Sequence, residues 1–413
     1  MNAKETLKTK LDSIRLDNEQ VLLFRKIAGG FIAKLKTKGL NAFIGGSLAK
    51  GTMIKKAVQD VDVFVVFDCS EDILKLGGVL EGVDLDGGVL RKVHGSRDYF
   101  HVVYDEIVLE IVPVVRCDDP ERAENVTDMS LSHVDFVVGE IGKDGGLADE
   151  IRLAKAFCKA NRCYGAEGYV HGFSGYSLEV LVIHYGGFLK FLKKVGKDRV
   201  VDTVKHFRNR REVLREINSS KLQGPLVVVD PTYRYRNICA GLNSETFEGF
   251  LDSARRFLRK PSLDFFEKQD IDIEAFRELA VKEKGRFVEV VMETDRQGGD
   301  IAGTKMKKMF DFFVRELERS GQEVLRKEFD YVGNGGVSNG YLVVLEKSEI
   351  EVRGPSVGRK DAVEDFCRVR DAYRKGKFWW WKKRVCVGDV LEFVKGKEDE
   401  MGAGIGIKNK VGN

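Results

Sequence analysis

The feature that most restricts what this chain can fold into is an apolar run with two acids at its mouth, Asp60-Val-Asp-Val-Phe-Val-Val-Phe67. Side chains two apart on a strand point to the same face, so Asp60 and Asp62 project together at the start of a strand whose remainder is buried. Two like charges this close are costly unless a cation sits between them, and oxygen ligands suit a hard divalent ion, Mg²⁺ by default. Taken alone, an Asp-x-Asp pair is common and reads first as two surface acids at a strand entrance. The surroundings add to it. Gly45-Gly46-Ser47 lies just upstream and Lys50-Gly51-Thr52 follows it. Glycines let a backbone turn tightly and bring its N–H groups close to a phosphate, while Ser47 supplies a hydroxyl and Lys50 a positive charge. Neither the G-x-x-x-x-G-K-[ST] nor the G-x-G-x-x-G spacing occurs here. A third acid, Glu110, stands inside the apolar run Ile107 to Pro113. A buried acid needs a partner. Either this strand is an edge with Glu110 facing water, or it neighbours the Asp60–Asp62 strand. The second arrangement makes a three-carboxylate cluster suited to two metal ions that activate a hydroxyl and stabilise a leaving pyrophosphate.

The 413 residues allow roughly two to four domains. A hydrophobic share of 43% beside 32% charged residues is a globular composition, which excludes disordered and low-complexity classes. No apolar stretch approaches the roughly 20 residues that span a bilayer, and the polar Met1 to Lys10 shows no signal peptide. Seven cysteines without a Cys-x-x-Cys pair read as reduced thiols of a cytoplasmic protein rather than a zinc site or a disulfide framework. The net charge of +4 conceals 69 basic residues, so only local clusters inform on partners. Periodicity predicts helix over most of residues 4 to 38, with Leu23, Ile27, Phe31 and Leu35 on one face. Strands are expected at Asn41 to Ile44 and Val61 to Phe67, and a hairpin at Tyr99 to Tyr104 and Ile107 to Val115. From about 147 to 260 the pattern is helical, with a short extended piece at Leu226 to Val229. The last third mixes strands (Phe287 to Met292, Tyr341 to Leu345, Glu349 to Val352) with helices (Met306 to Glu318, Lys360 to Tyr373).

Gly46-Ser47-Leu-Ala-Lys50-Gly51-Thr52, then Asp60-x-Asp62, then an acid ahead of Ile-Val-Pro113, resembles the nucleotidyltransferase superfamily that includes DNA polymerase β, poly(A) polymerases and tRNA nucleotidyltransferases. Further blocks narrow the likeness. Ser130-Leu-Ser-His133, Arg152-Leu-Ala-Lys-Ala-Phe-Cys-Lys159, Tyr164-Gly-Ala-Glu167, Gly172-Phe-Ser-Gly-Tyr-Ser-Leu-Glu-Val-Leu-Val-Ile-His-Tyr-Gly-Gly-Phe188 and Val229-Asp-Pro-Thr-Tyr-Arg-Tyr-Arg-Asn-Ile-Cys-Ala-Gly-Leu242 resemble the archaeal, class I CCA-adding enzymes. The late Arg353-Gly-Pro-Ser-Val357 agrees, and the likeness spans roughly residues 1 to 360. The chain departs from the family at Lys50, where Arg is usual, at Glu110, where Asp is usual, at Ser130-Leu131 in place of Thr-Pro, and in the tail after 375 with its three tryptophans.

The resemblance implies an α/β plus α fold: a nucleotidyltransferase head with a small mixed sheet over residues 1–140, a helical central domain over 141–260 that recognises the nucleotide base, and an α+β C-terminal body and tail over 261–413 that binds tRNA. It implies template-independent addition of C, C and A to the 3′ end of immature tRNA from CTP and ATP. Asp60, Asp62 and Glu110 would be both catalytic residues and ligands of Mg²⁺. Ser47, Lys50, Lys155 and Tyr164 would hold the triphosphate, His133 would contact the nucleotide, and Arg236 would read the base. An Arg offers donors to the acceptors of cytosine and pairs poorly with a uracil N–H. Asp230 would either orient that Arg or serve as a helix N-cap. For tRNA, candidates are Lys305, Lys307, Lys308 and Arg315, and the stretch Lys375 to Arg384 with Trp380, where cations alternate with aromatic rings that stack on bases. A strand with a tryptophan-covered core face is the other reading of that stretch. No membrane partner is expected, and a homodimer is compatible with the pattern. The rival functions are a poly(A) polymerase-like or other RNA nucleotidyltransferase, and a non-catalytic RNA-binding protein that kept the fold.

Overall fold

A computed structural model describes residues 2–408 except Ser96, Asp118, Arg296, Gln297, Val332, Asn334, Lys347, Ser348 and Arg384. Arg384, named above among the tail cations, therefore lies outside the described residues. The chain forms two compact units, Met1–Ala166 with Val170–Gln269, and Glu167–Tyr169 with Asp270–Asn413.

The first unit begins with two helices, Ala3–Ile14 and Asn18–Thr37, where the periodicity suggested one. The break has a local cause. The Asp17 carboxylate accepts from Gln20 N, and the Gln20 side chain returns to the Asp17 backbone, a reciprocal capping box that starts a new helix. The buried face of that second helix is Phe24, Ala28, Phe31, Ile32 and Leu35, not the Leu23-Ile27-Phe31-Leu35 row. A strict four-residue row drifts around a helix of 3.6 residues per turn, which leaves Leu23 exposed.

This helix packs on a five-stranded mixed sheet. Its strands are β1 (Asn41–Ile44), β2 (Gln59–Phe67), β3 (Val89–Val93), β4 (Tyr99–Val103) and β5 (Ile107–Val115), in the order β1-β2-β5-β4-β3. Only the central β2–β5 pair is parallel. Val61, Val63, Val65, Leu109 and Ile111 are fully buried against Phe31 and Leu35. The alternate positions of β2, including Asp60 and Asp62, open on the other face. The edge strand β3 (Val-Leu-Arg-Lys-Val) was not anticipated, because its mixed polarity gives no alternation.

The rest of this unit is built on the helices Leu147–Ala160, Gly175–Tyr185 and Ser244–Arg259. Phe157 sits at their centre with Phe250 and Phe257 edge-on, at ring-centroid separations of 6.1 and 5.8 Å. The region is mainly helical, and the extended piece expected at Leu226 to Val229 is part of a small sheet. Among the described residues that sheet has three strands, β6 (Val200–Asp202), β7 (Val227–Asp230) and β8 (Tyr233–Asn237). Only β7 is apolar enough to stand out in the sequence.

In the second unit, β9 (Arg286–Glu293), β10 (Glu323–Asp330), β11 (Val337–Leu345) and β15 (Gly404–Ile407) form a sheet in the order β10-β11-β9-β15. The helix Gly299–Arg319 buries Met306, Met309, Phe310, Phe313 and Leu317 in the core that includes Val288, Val290, Leu342 and Ile405. A second sheet has the order β12-β14-β13, from β12 (Ile350–Ser356), β13 (Ala372–Lys375) and β14 (Phe378–Lys383). The helix expected over Lys360 to Tyr373 ends at Arg368. Ala372 and Tyr373 belong instead to β13, which pairs with the tryptophan strand through a turn at Gly376 with φ +63°. Among the described residues no helix is long and apolar enough to cross a membrane.

Candidate active site

The parallel register of β2 and β5 sets Asp62 directly beside Glu110, and Asp60 beside Val108. The three acids thus lie on neighbouring strands of the sheet. Asp62 is half-buried, and burial together with the Glu110 charge pushes its carboxyl up to about 7, against the opposing pull of Lys50. The backbone before the Gly46–Ala49 turn closes over this carboxyl. Gly45 N donates to Asp62 O at 2.8 Å. Gly46 has φ +53°, and a Cβ placed on it would lie 1.7 Å from Asp62 Oδ2. Only glycine fits there, for reasons of both conformation and space.

Asp60 is ion-paired with Lys56, and Glu110 Oε1 lies 3.3 Å from His101 Nε2. Among the described residues no three His, Cys, Asp or Glu side chains converge closely enough to ligate one ion. The donor chemistry nevertheless fits a hard divalent cation. Two carboxylates share one wall, and one of them is driven toward protonation by the other and by burial, a strain that a bound cation relieves.

Ser47, Asp60, Lys155 and Tyr164 line one small cavity of about 50 Å³ together with Lys56 and Lys159. Lys159 was not singled out from the sequence, although it follows Lys155 at helical i+4 spacing and therefore on the same face. Its Nζ lies 4.8 Å from the Tyr164 ring centre, and burial, then Lys56 and Lys155, bring its pKa down to about 8. Lys50 does not line this cavity. Its Nζ lies 2.8 Å from Glu179 Oε2 and 5.3 Å from the Tyr176 ring centre. Glu179 also accepts from Lys155 Nζ at 2.7 Å and from Thr52 Oγ1 at 2.9 Å. Burial opposes its ionisation, but Lys155 and Lys50 outweigh burial and hold it at about 2.

A second cluster is centred on Asp230, at the end of β7. Its Oδ2 accepts from Arg236 Nη1 at 3.0 Å and lies 3.1 Å from His133 Nε2. Its Oδ1 accepts from Tyr176 OH at 3.0 Å and from Thr232 N at 2.9 Å. Of the two jobs the sequence left open, Asp230 does the first: it orients Arg236. It caps no helix, because strand β8 follows it, and its Oδ1 closes the turn into that strand instead. His133 stacks on Tyr176 with ring centres 3.9 Å apart, and burial pushes its imidazole pKa down. Burial works against the Asp230 carboxylate, but the His133 hydrogen bond, Thr232 N and Arg236 hold it at about 2.

In the second unit, Lys308 and Arg315 are exposed on the helix Gly299–Arg319 and Lys305 is half-buried there. Lys307 pairs with Asp311. Trp380 is half-buried in β14, the central strand of its sheet. Lys375 Nζ lies 5.5 Å from its ring centre, and its Nε1 is buried with no hydrogen-bond partner among the described residues.

The architecture and the paired acids define a nucleotidyltransferase-type fold. It is shared with solved structures of the Cid1 poly(U) polymerase, one of them in complex with its short product ApU: 15% identity, TM-score 0.51, 65% of this chain and all of that one covered. A cytoplasmic RNA terminal U-transferase gives a TM-score of 0.50 at 14% identity, over 65% of this chain and 99% of that one. The family model for the second domain of tRNA nucleotidyltransferase matches residues 149–267. Two relatives are closer in sequence. The CCA-adding enzyme of Nanoarchaeum equitans is 32% identical over 76% of this chain and 75% of its own, and that of Archaeoglobus fulgidus is 30% identical over 93% and 87%. The chain belongs to the CCA-adding enzymes.

Proposed function

We propose that this chain adds C, C and A to the 3′ end of immature tRNA without a template, using CTP and ATP. The observation that carries the reading is the pairing of Asp62 with Glu110 beneath the Gly46 turn, within a chain of this family. Asp60, Asp62 and Glu110 would hold the divalent ions, taken here as Mg²⁺; a solved Cid1 poly(U) polymerase structure is described with MgATP. When bound, such ions lower the pKa of an attacking hydroxyl and offset charge on a departing pyrophosphate. The protein's own groups do the rest. The Gly46 turn fixes the Asp62 carboxylate, and Ser47, Lys155 and Tyr164, joined by Lys159, present donors to phosphate oxygens. Lys50 adds positive potential from its place on Glu179. Arg236, held by Asp230, faces the base with two-donor edges, and His133 stacked on Tyr176 supports it. Lys305, Lys308, Arg315 and the Trp380 strand grip tRNA through phosphate and stacking, as suits an enzyme for which every tRNA is a substrate.

The division of labour follows: residues 1–140 carry the chemistry, 141–260 the choice of base, and 261–413 the tRNA. The reading places the protein in the cytoplasm, in keeping with seven free thiols, and allows a homodimer. The test is extension of tRNA lacking its 3′ end with each NTP supplied separately. Incorporation of C from CTP, followed by A only after C addition, supports the reading; extension with UTP or a long adenosine tail refutes it.

A further inference from the structure

Glu179 has so far appeared only as the anchor of Lys50, yet it is a buried acid that three separate side chains engage. It is 1% exposed, and both carboxylate oxygens are used. Oε1 accepts from Lys155 Nζ at 2.7 Å and Thr52 Oγ1 at 2.9 Å, and Oε2 accepts from Lys50 Nζ at 2.8 Å. Lys155 Nζ also donates to Thr52 Oγ1 at 2.9 Å. The four side chains come from three separate places: the loop after the Gly46 turn, the helix Leu147–Ala160 and the helix Gly175–Tyr185.

We propose that Glu179 is a positioning residue for nucleotide phosphates: it clamps the ammonium groups of Lys50 and Lys155 in place before the nucleotide arrives. This rests on the nucleotidyltransferase reading above and extends it to a residue that touches no substrate. A lysine is a point charge on a flexible stem and cannot aim itself. Holding two such stems against one carboxylate moves their loss of rotamer freedom from the binding step to folding, so binding does not bear it. The placement also points to an anion. Lys155 lines the cavity that Ser47, Tyr164 and Lys159 share, so one of the two clamped ammonium groups borders the space a phosphate would enter, while Asp62 offsets part of the positive charge. Because phosphates are common to all nucleotides, the clamp acts equally on CTP and ATP and not on tRNA.

The experiment compares the wild type with Glu179→Gln, which keeps the shape and removes the charge. In tRNA extension, KM for CTP and KM for ATP should both rise by the same factor, about tenfold, with kcat changing less and KM for tRNA within about twofold. In melting experiments, inorganic tripolyphosphate should raise Tm of the wild type and not that of the variant. If Glu179→Gln does not fold, Thr52→Val decides, since it removes the hydroxyl that donates to Oε1 and accepts from Lys155 Nζ, and no charge; it should raise both nucleotide KM values about threefold. A folded Glu179→Gln with both nucleotide KM values unchanged overturns the proposal, and so does an unchanged Thr52→Val where the first variant fails to fold. A wild type that does not extend tRNA counts against the nucleotidyltransferase reading. The tripolyphosphate melts still read the clamp in that case, and a wild type that tripolyphosphate does not stabilise overturns it.

Discussion

Asp62 and Glu110 are register partners on two parallel strands, so a carboxylate from each strand shares one wall of the site. The longer Glu110 arm also reaches toward His101, with Oε1 3.3 Å from its Nε2. If both acids hold metal, Asp62→Ala should lower nucleotide incorporation at least about a thousandfold while tRNA affinity survives, since losing a negative charge does not weaken attraction to RNA. Glu110→Gln should behave likewise. Glu110→Asp, which keeps the charge on a shorter arm, should stay within about tenfold of the wild type. Single-turnover extension with a parallel binding assay separates these outcomes; a near wild-type rate for Asp62→Ala contradicts the assignment.

Gly46 is a stricter test of the same wall. Its φ of +53° and the 1.7 Å approach of a Cβ to Asp62 Oδ2 mean that Gly46→Ala must push the carboxyl or the turn aside. Extension should fall by about a hundredfold or more while tRNA binding is unchanged. Gly51, with φ +66° but open space around it, is the control: Gly51→Ala should cost stability of about 1 kcal/mol with a much smaller loss of rate.

Arg236 is held by Asp230 at 3.0 Å. If it reads the base, Arg236→Ala should raise incorporation of UTP or GTP relative to CTP by about tenfold, with tRNA affinity little changed. Asp230→Asn should move selectivity in the same direction and less far. Competition assays with mixed nucleotides measure this, and an unchanged preference in Arg236→Ala places base reading elsewhere.

Asp230 also has a pH signature. Its folded pKa of about 2 lies below the ordinary 3.8, so its ionised form is favoured by folding. That stabilisation is fully present above the unfolded value and is lost as pH falls through the folded one. A shift of this size corresponds to about 2 kcal/mol. Asp230→Asn should therefore be less stable than the wild type near pH 6, and the gap should narrow as pH drops from roughly 5 toward 2. Urea unfolding at pH 6 and pH 3 gives the comparison; a gap that does not narrow rules out the ionised Asp230 as its source.

How much of this was legible in the sequence depended on local contrast. Asp60, Asp62 and Glu110 stood out because each interrupts an apolar strand pattern. Glu179 interrupts the apolar helix Leu178 to Val182 in the same manner and was passed over, since its partners Lys50, Thr52 and Lys155 are far away along the chain. The Asp230 cluster was hidden for a related reason: His133, Tyr176 and Arg236 meet only once two helices and β7–β8 are assembled. Helix ends were missed where side chains decide them, as at Asp17 and Gln20. The short strands β6 and β8 were missed because pairing rather than composition makes them strands.

The tail separates its two readings by salt. β14 is the central strand of its sheet, so removing it would unfold that sheet whatever else it does, and surface cations are the cleaner probes. If Lys377 and Lys383, both exposed, contact tRNA phosphates, each change to Gln should lower the slope of log affinity against log salt by about 0.7 to 0.9 without changing Tm. Trp380→Ala that lowers Tm and leaves the salt slope intact is the signature of a ring that serves only to pack.

The most direct measurement of the central claim is extension of a tRNA ending at its discriminator base, resolved on a sequencing gel with CTP alone, ATP alone, UTP alone and CTP with ATP. The account predicts two added residues with CTP, a third only when ATP is also present, and then a stop. No extension, or open-ended addition of uridine or adenosine, contradicts it.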